Sequence, residues 1–232
     1  VLKMDRVAAI CNFQPGQRLL DMGCGWSGPA LYFAEKHGLQ VTGLTLSEVQ
    51  REHAMHRAEK RGLADKVDIQ VCNVLDADFP DECFNHIIFF ESIIHMWEKL
   101  ELFQFCHRVL RPSGMLFVQE SNYDRNSNTE KFRGDRGFAL VDQVFGETTT
   151  MVSTGEMVRL MEEAELKICY TENISTHYRR TLAQWGDRID EHGDEMAEAV
   201  GPFFNNFRKY IMMALETYRT EATLCHMTAA QK

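Results

Sequence analysis

Two short stretches combine residue types that can do chemistry. In the first, the apolar pair Leu19-Leu20 runs into Asp21-Met22-Gly23-Cys24-Gly25-Trp26-Ser27-Gly28, so an acid and a glycine-rich turn stand where a buried strand ends. Gly23 and Gly25 permit positive φ and a close approach of backbone to ligand, and Gly28 is expected to let the next helix pack near the strand. Asp21, one residue removed from the first glycine, can offer its carboxylate to a cationic amine. Together these form a nucleotide cradle. In the second stretch, Glu91-Ser92-Ile93-Ile94-His95 directly follows the apolar run 85–90. An acid there is costly to bury without a task or a partner. Glu91 is therefore a candidate for a catalytic or substrate-holding role, against the plainer reading of a carboxylate capping the next turn. His95 can serve as a base or stand as a satisfied histidine at the start of a helix.

The G-x-G-x-x-G spacing alone does not separate dinucleotide sites from others. A dinucleotide site also needs an acid roughly 20 residues downstream for the ribose, and the second strand here closes as Gly43-Leu44-Thr45-Leu46-Ser47. That makes a poor NAD site.

The elements that must position these residues follow from apolar periodicity. Helices are expected over 1–12, 27–37, 47–62, 97–110 and 154–164, with strands over 17–22, 40–44, 67–72, 85–90, 115–119, 166–171 and 223–229. Arg111-Pro112-Ser113-Gly114 reads as a turn. Strands alternating with helices, several of them wholly apolar, specify an α/β fold: a Rossmann-like, doubly wound, mainly parallel seven-stranded sheet. Residues 121–150 are polar and irregular and read as a lid-like loop. Residues 176–221 read as a helical cap inserted before the last strand. The whole of 1–232 is expected to form one domain, and because the chain opens in mid-helix at Val1-Leu2-Lys3-Met4, a further N-terminal segment is expected ahead of it.

The 232 residues carry a net charge of -9, with 44% hydrophobic and 25% charged residues. That balance suits a soluble globular protein and argues against a nucleic-acid surface, leaving room for a local basic pocket. Seven cysteines lie scattered without C-x-x-C pairs, which reads as reduced, intracellular and without a metal site. No apolar run approaches the roughly 18 residues of a membrane span and no signal peptide is visible, so the expectation is cytoplasmic.

D-x-G-C-G-x-x-G followed by G-L-T-L-S-E-x-Q resembles the S-adenosylmethionine (SAM) dependent class I methyltransferases, and within them the cyclopropane-fatty-acid-synthase-like group. The resemblance implies SAM as cofactor. It places Asp21, Gly23, Cys24 and Gly25 at the methionine portion and Thr45, Leu46 and Gln50 at the ribose. Asn73, with Val74 beside it, takes the position where many relatives carry an acid for the adenine amine; its amide carbonyl can accept that bond without charge. Glu91 borders the same site. In this group the expected N-terminal segment often covers the cofactor.

Two finer resemblances bear on the acceptor. Gly23 to Trp26, 43–50 and His177-Tyr178-x-x-Thr181-Leu182-x-x-Trp185 look like cyclopropane synthases, which methylate an alkene and use bicarbonate as base; Cys24, Glu91 and Tyr178 match that site. The histidine expected after the fifth strand is Gln119 here, and the last strand departs from the family ending, both against bicarbonate. The run 71–76 with Phe90-Glu91-Ser92, Thr181 to Trp185 and Tyr218-Arg219 is similar to the C-methyltransferases of isoprenyl diphosphates. That likeness makes Glu91 the proton acceptor and implies Mg²⁺ bound through a diphosphate. Arg179 and Arg180, with Arg125, Lys131, Arg133 and Arg136 on the lid, are candidates to hold the diphosphate; the alternative is a solvated charged face. Phe89, Phe90, Trp97, Tyr123, Tyr178, Trp185, Phe203 and Phe204 could shield a cation, with core packing the plainer reading for each. The expectation is therefore a C-methyltransferase acting on the double bond of a small isoprenoid or lipid-like molecule, with Tyr123, Tyr178, Arg179 and Trp185 toward the acceptor. Its rivals are an O- or N-methyltransferase with His95 as base, a cyclopropane-synthase-like acyl enzyme, and a non-catalytic SAM-binding protein. A homo-oligomer is left open.

Overall fold

In the computed structural model, which describes residues 2–124, 136–145 and 150–232, the chain builds one seven-stranded sheet. The strands are β1 (Arg18–Met22), β2 (Gln40–Thr45), β3 (Val67–Val71), β4 (Phe84–Phe90), β5 (Leu110–Tyr123), β6 (Lys167–Asn173) and β7 (Thr223–Gln231), and they lie in the order β3-β2-β1-β4-β5-β7-β6. The first five are parallel, and β7 runs antiparallel between β5 and β6. Chain order reverses between β1 and β4. Such a reversal opens a crevice beyond the carboxyl ends of the strands, where ligands of open α/β sheets bind.

Nearly every inward and outward residue of the central strands is apolar because helices cover both faces. One face packs Leu19, Ile88 and Phe117 against Phe33 and Leu31 of α2 (Gly28–His37) and against α1 (Leu2–Ile10). The other packs Leu20, Ile87 and Leu116 against Phe103 of α4 (Lys99–Val109), while α3 (Glu48–Lys60) flanks β2 and β3. Gly38 closes α2 at φ +67°, and Ser47 caps α3 by accepting from the Gln50 amide at 3.3 Å.

The structure revises four local expectations. Arg111 to Gly114 does not break the strand into a separate turn: β5 runs from Leu110 to Tyr123, and pairing with β4 jumps from Phe84↔Leu110 to His86↔Met115. The turn-forming residues are absorbed as an irregularity with Ser113 at φ +63°. Residues 121–123, expected in the lid, are the end of that strand. The lid span also contains a helix, α5 (Arg136–Phe145), and α6 (Thr154–Glu163) follows it. The cap is three helices, α7 (Ser175–Glu191), α8 (Gly193–Val200) and α9 (Phe203–Arg219), broken at His192 and at Gly201-Pro202, where Gly201 takes φ +60°. No described helix is long and apolar enough to cross a membrane.

Candidate active site

The turn after β1 is shaped by backbone crowding. Gly23 stands at φ +77°, and a Cβ there would lie 2.6 Å from the Ser92 Cβ; Gly43 of β2 is as crowded, with Ile69 at 2.7 Å and the Cys24 Sγ at 3.0 Å. Gly28 was expected to make a close approach, but a Cβ there meets nothing within 4 Å. Close packing is therefore carried by Gly23 and Gly43. Ser92 ties the turn to the end of β4, donating from its hydroxyl to the Met22 carbonyl at 2.6 Å.

This crevice holds a cavity of about 510 Å³ lined by Gly23, Gly25, Thr45, Leu46, Gln50, Asn73, Val74 and Glu91, and also by His95, Trp97 and Phe145. Thr45 donates to the Gln50 carbonyl oxygen at 2.6 Å, which orients that amide. Asn73 accepts from the Leu75 amide at 3.1 Å, so its carbonyl caps the short 3-10 turn 74–76 while lining the cavity. Asp21 lies just behind the turn, 1% exposed, with Oδ2 buried and without a partner. Loss of water pushes its carboxyl up to about 7. A ligand's ammonium is the partner such an acid lacks. Together with the crowded glycines and the cavity's polar edge, these residues fit SAM. Cys24 is buried, receives the Ser27 hydroxyl at 3.4 Å, and has its thiol pushed up to about 12 by burial, which makes it an inert wall.

Glu91 sits at the end of β4 with φ +53°, a left-handed conformation that a side chain adopts only where its surroundings impose it. Four groups from two strands, β5 and β7, converge on its carboxylate. Ser121 donates to Oε2 at 2.7 Å, Gln119 to Oε1 at 3.3 Å and the Cys225 thiol to Oε1 at 3.4 Å, while the buried Glu120 is hydrogen-bonded to it. The Ser121 hydroxyl in turn lies 2.6 Å from the Tyr218 hydroxyl, and the Tyr218 ring is 5.2 Å from that of Tyr178. Burial and the nearby Glu91 charge hold both phenols far above their usual range, so they stay neutral donors. The Gln119 amide, whose nitrogen makes that bond, keeps its carbonyl oxygen buried without a partner.

Among the residues expected to act together, the fold gathers Glu91, His95, the glycine turn, Thr45, Leu46, Gln50, Asn73 and Val74 around one cavity, and links Tyr178 to Glu91 through Tyr218 and Ser121. Burial, then the Lys99 charge, lowers the His95 imidazole below its usual value. Trp185 is 43% exposed and does not line the cavity, and Tyr123 is buried where β5 meets residues 152–153. Arg179 and Arg180 form no ion pair among the described residues and are not part of the lining. Phe89 is core and Phe90 lies under the Lys3 ammonium at 4.8 Å. Arg125, Lys131 and Arg133 lie outside the described residues, as does the side chain of Arg136. The motifs did not point to Glu120, Ser121 or Cys225, and Tyr218 entered only as part of a resemblance, with no role assigned to it. The one available signal was an acid, Glu120, two residues past the apolar run 115–118.

A sheet of this order, with a glycine turn opening at its switch point and an acid behind it, defines the class I fold of SAM-dependent methyltransferases. The family profile described as mycolic acid cyclopropane synthetase matches residues 1–228, and the chain belongs to that family. It is 29% identical over 191 residues to 27-O-demethylrifamycin SV methyltransferase of Amycolatopsis mediterranei, an alignment covering 80% of this chain and 67% of that one. The cyclopropane synthase MmaA2 from Mycobacterium tuberculosis superposes on it with TM-score 0.90 at 18% identity, covering 100% of this chain and 83% of that one. The geranyl diphosphate C-methyltransferase from Streptomyces coelicolor does so with TM-score 0.76 at 21% identity, covering 99% and 79%. Among eight curated relatives, the chain spans between 28% and 67% of their length.

Proposed function

We propose that the chain is a SAM-dependent C-methyltransferase that methylates a carbon–carbon double bond of a small, largely apolar acceptor, with Glu91 as the proton acceptor. The observation that carries this reading is the placement of Glu91: a carboxylate forced into left-handed backbone at the switch point, between the glycine turn and the Tyr178–Tyr218 wall. Bound SAM supplies an electrophilic methyl group. The chain's task is to align the acceptor, exclude water and remove a proton. Once an alkene carbon has gained the methyl group, its neighbour carries positive charge. Glu91 stabilises that charge and then takes a proton from the adjacent carbon, which restores a double bond. Neutral tyrosine faces supply cation–π stabilisation without offering a nucleophile.

Among alkenes, an isoprenyl diphosphate is the acceptor we favour, with Mg²⁺ entering through the diphosphate. Among the described residues the cavity lining contains no lysine or arginine, so the anion would be held by Arg179, Arg180 and the basic residues of 125–136. A second reading has its own support: His95 lines the same cavity with its imidazole biased to the neutral form, suited to deprotonating a hydroxyl or amine.

Mass spectrometry of products from SAM, Mg²⁺ and a panel of isoprenyl diphosphates, unsaturated acyl lipids and phenols separates them. Alkene methylation that drops by roughly 10²–10⁴ in Glu91→Gln and by less than about tenfold in His95→Asn supports the first reading. The reverse pattern, with phenols as the methylated acceptors, replaces it with the second.

A further inference from the structure

We propose that Glu120 is a positioning residue for the reaction, bracing the Glu91 carboxylate and the His95 turn into one geometry through its own carboxyl group. The inference rests on the reading of Glu91 as proton acceptor. Glu120 is 2% exposed in β5, between two residues that both donate to Glu91. One of its oxygens accepts from the Ser121 amide at 2.9 Å and the other from the Ile94 amide at 3.1 Å, within the 3-10 turn 93–95 that carries His95. Its remaining bond is to Glu91 itself. Two carboxylates cannot bond to each other, so a proton must lie between them. Burial first, and the Glu91 charge second, hold Glu120 well above the usual carboxylate range, which favours that proton on Glu120.

Titratable groups face Glu120 and Glu91 from several elements. From α4 and the turn before it come Lys99, Glu98 and His95, with the Lys99 ammonium lowered to about 8 by burial. The cap contributes Tyr178, Tyr210 and Tyr218, all with raised phenols. On β7, Cys225 has a raised thiol and His226, the register partner of Glu120, has a lowered imidazole and meets Thr154 at 2.9 Å. The Lys3 ammonium of α1 interacts with Glu91 from the other side. The tyrosines and Cys225 therefore add no charge near neutral pH. When pH rises far enough to strip the shared proton, two facing carboxylates repel and the brace opens.

Infrared spectroscopy of the carboxyl stretch tests this without turnover. Asp21 also carries a raised carboxyl, so the comparison is made in an Asp21→Asn background. A protonated-carboxyl band at pH 7 should disappear on Glu120→Gln and shift in frequency on Glu91→Gln, because its hydrogen-bond partner has changed. A band that survives Glu120→Gln, or is indifferent to Glu91→Gln, overturns the proposal. In turnover, with Asp21 intact, Glu120→Gln should keep kcat within about tenfold and lose the basic limb of the kcat/KM profile, while Glu120→Ala lowers kcat by at least about tenfold with KM for SAM unchanged. An unchanged basic limb in Glu120→Gln overturns the proposal even if Glu120→Ala fails to fold. Should Glu91→Gln retain turnover, the reading of Glu91 fails, and the infrared result still decides whether the two groups share a proton.

Discussion

With its Oδ2 buried and unpartnered, Asp21 is held near pKa 7 by loss of water alone, so the ligand-free protein bears a cost that grows with pH. Because the folded state holds the proton and the unfolded chain releases it above about 4, stability falls as pH rises from about 4 to about 7 and levels off beyond. A shift of this size corresponds to something on the order of 3–4 kcal/mol at pH 8. Asp21→Asn should therefore raise the Tm of the ligand-free protein at pH 8 and leave it nearly unchanged at pH 4, while abolishing SAM binding by calorimetry. Wild-type protein should release up to one proton when SAM binds near pH 7, visible as a dependence of the binding enthalpy on the buffer's ionisation heat. A Tm at pH 8 that falls in Asp21→Asn would mean the acid has a partner in the ligand-free fold. The acid and the glycines were legible from sequence because both sit in one local motif. Glu91 was legible because an acid ending an apolar strand is conspicuous. The ring around it comes from β5, β7 and the cap, and only the sheet register brings those residues together.

At the scale of elements, the turn after β1 and the loop after β4 are fitted to each other. Gly23→Ala would combine an unfavourable φ with a contact at 2.6 Å to Ser92, so a loss of about 1–3 kcal/mol and of SAM binding is expected by thermal melts and calorimetry. Gly28→Ala, at the first position of α2 with open space around it, should change stability by no more than about 0.5 kcal/mol, and toward greater stability. Equal damage from both would mean that the spacing of the motif, and not the crowding at its first glycine, governs the turn. The loop after β4 is held further by Thr150, whose amide donates to the Ile94 carbonyl at 2.6 Å, and by the buried Lys99, whose ammonium donates to the Met96 carbonyl at 2.7 Å and to Thr150. Apolar periodicity located the strands well. It failed at 111–114, because proline and glycine signal a turn equally in a loop and in a strand irregularity. It also merged the cap helices, since α7 and α9 each carry a strong apolar stripe and the break at Gly201-Pro202 is short.

For the molecule as a whole, the crevice we propose for the cofactor and the wall we propose for the acceptor are separate constructions that meet at Glu91. The first is made by β1, β2 and β4, the second by the ends of β5 and β7 with α7 and α9. Tyr218→Phe should therefore lower methyl transfer by loosening Ser121 and Glu91, with SAM affinity unchanged; a parallel loss of SAM affinity would show that the two halves are coupled. The net charge of -9 repels an anionic acceptor at long range, and added salt screens that repulsion. If the acceptor is a diphosphate, kcat/KM should rise with ionic strength, whereas a neutral acceptor should show no such trend in steady-state rates. The sheet order has a consequence for the chain as it is made. Among the described residues β6 pairs with β7 alone, and β7 is the last of the seven strands to be synthesised. On the ribosome, the half carrying the glycine turn can collapse early, while β6 and the cap helices wait beside an unfilled slot, exposed to chaperones, until the final strand slides between β5 and β6.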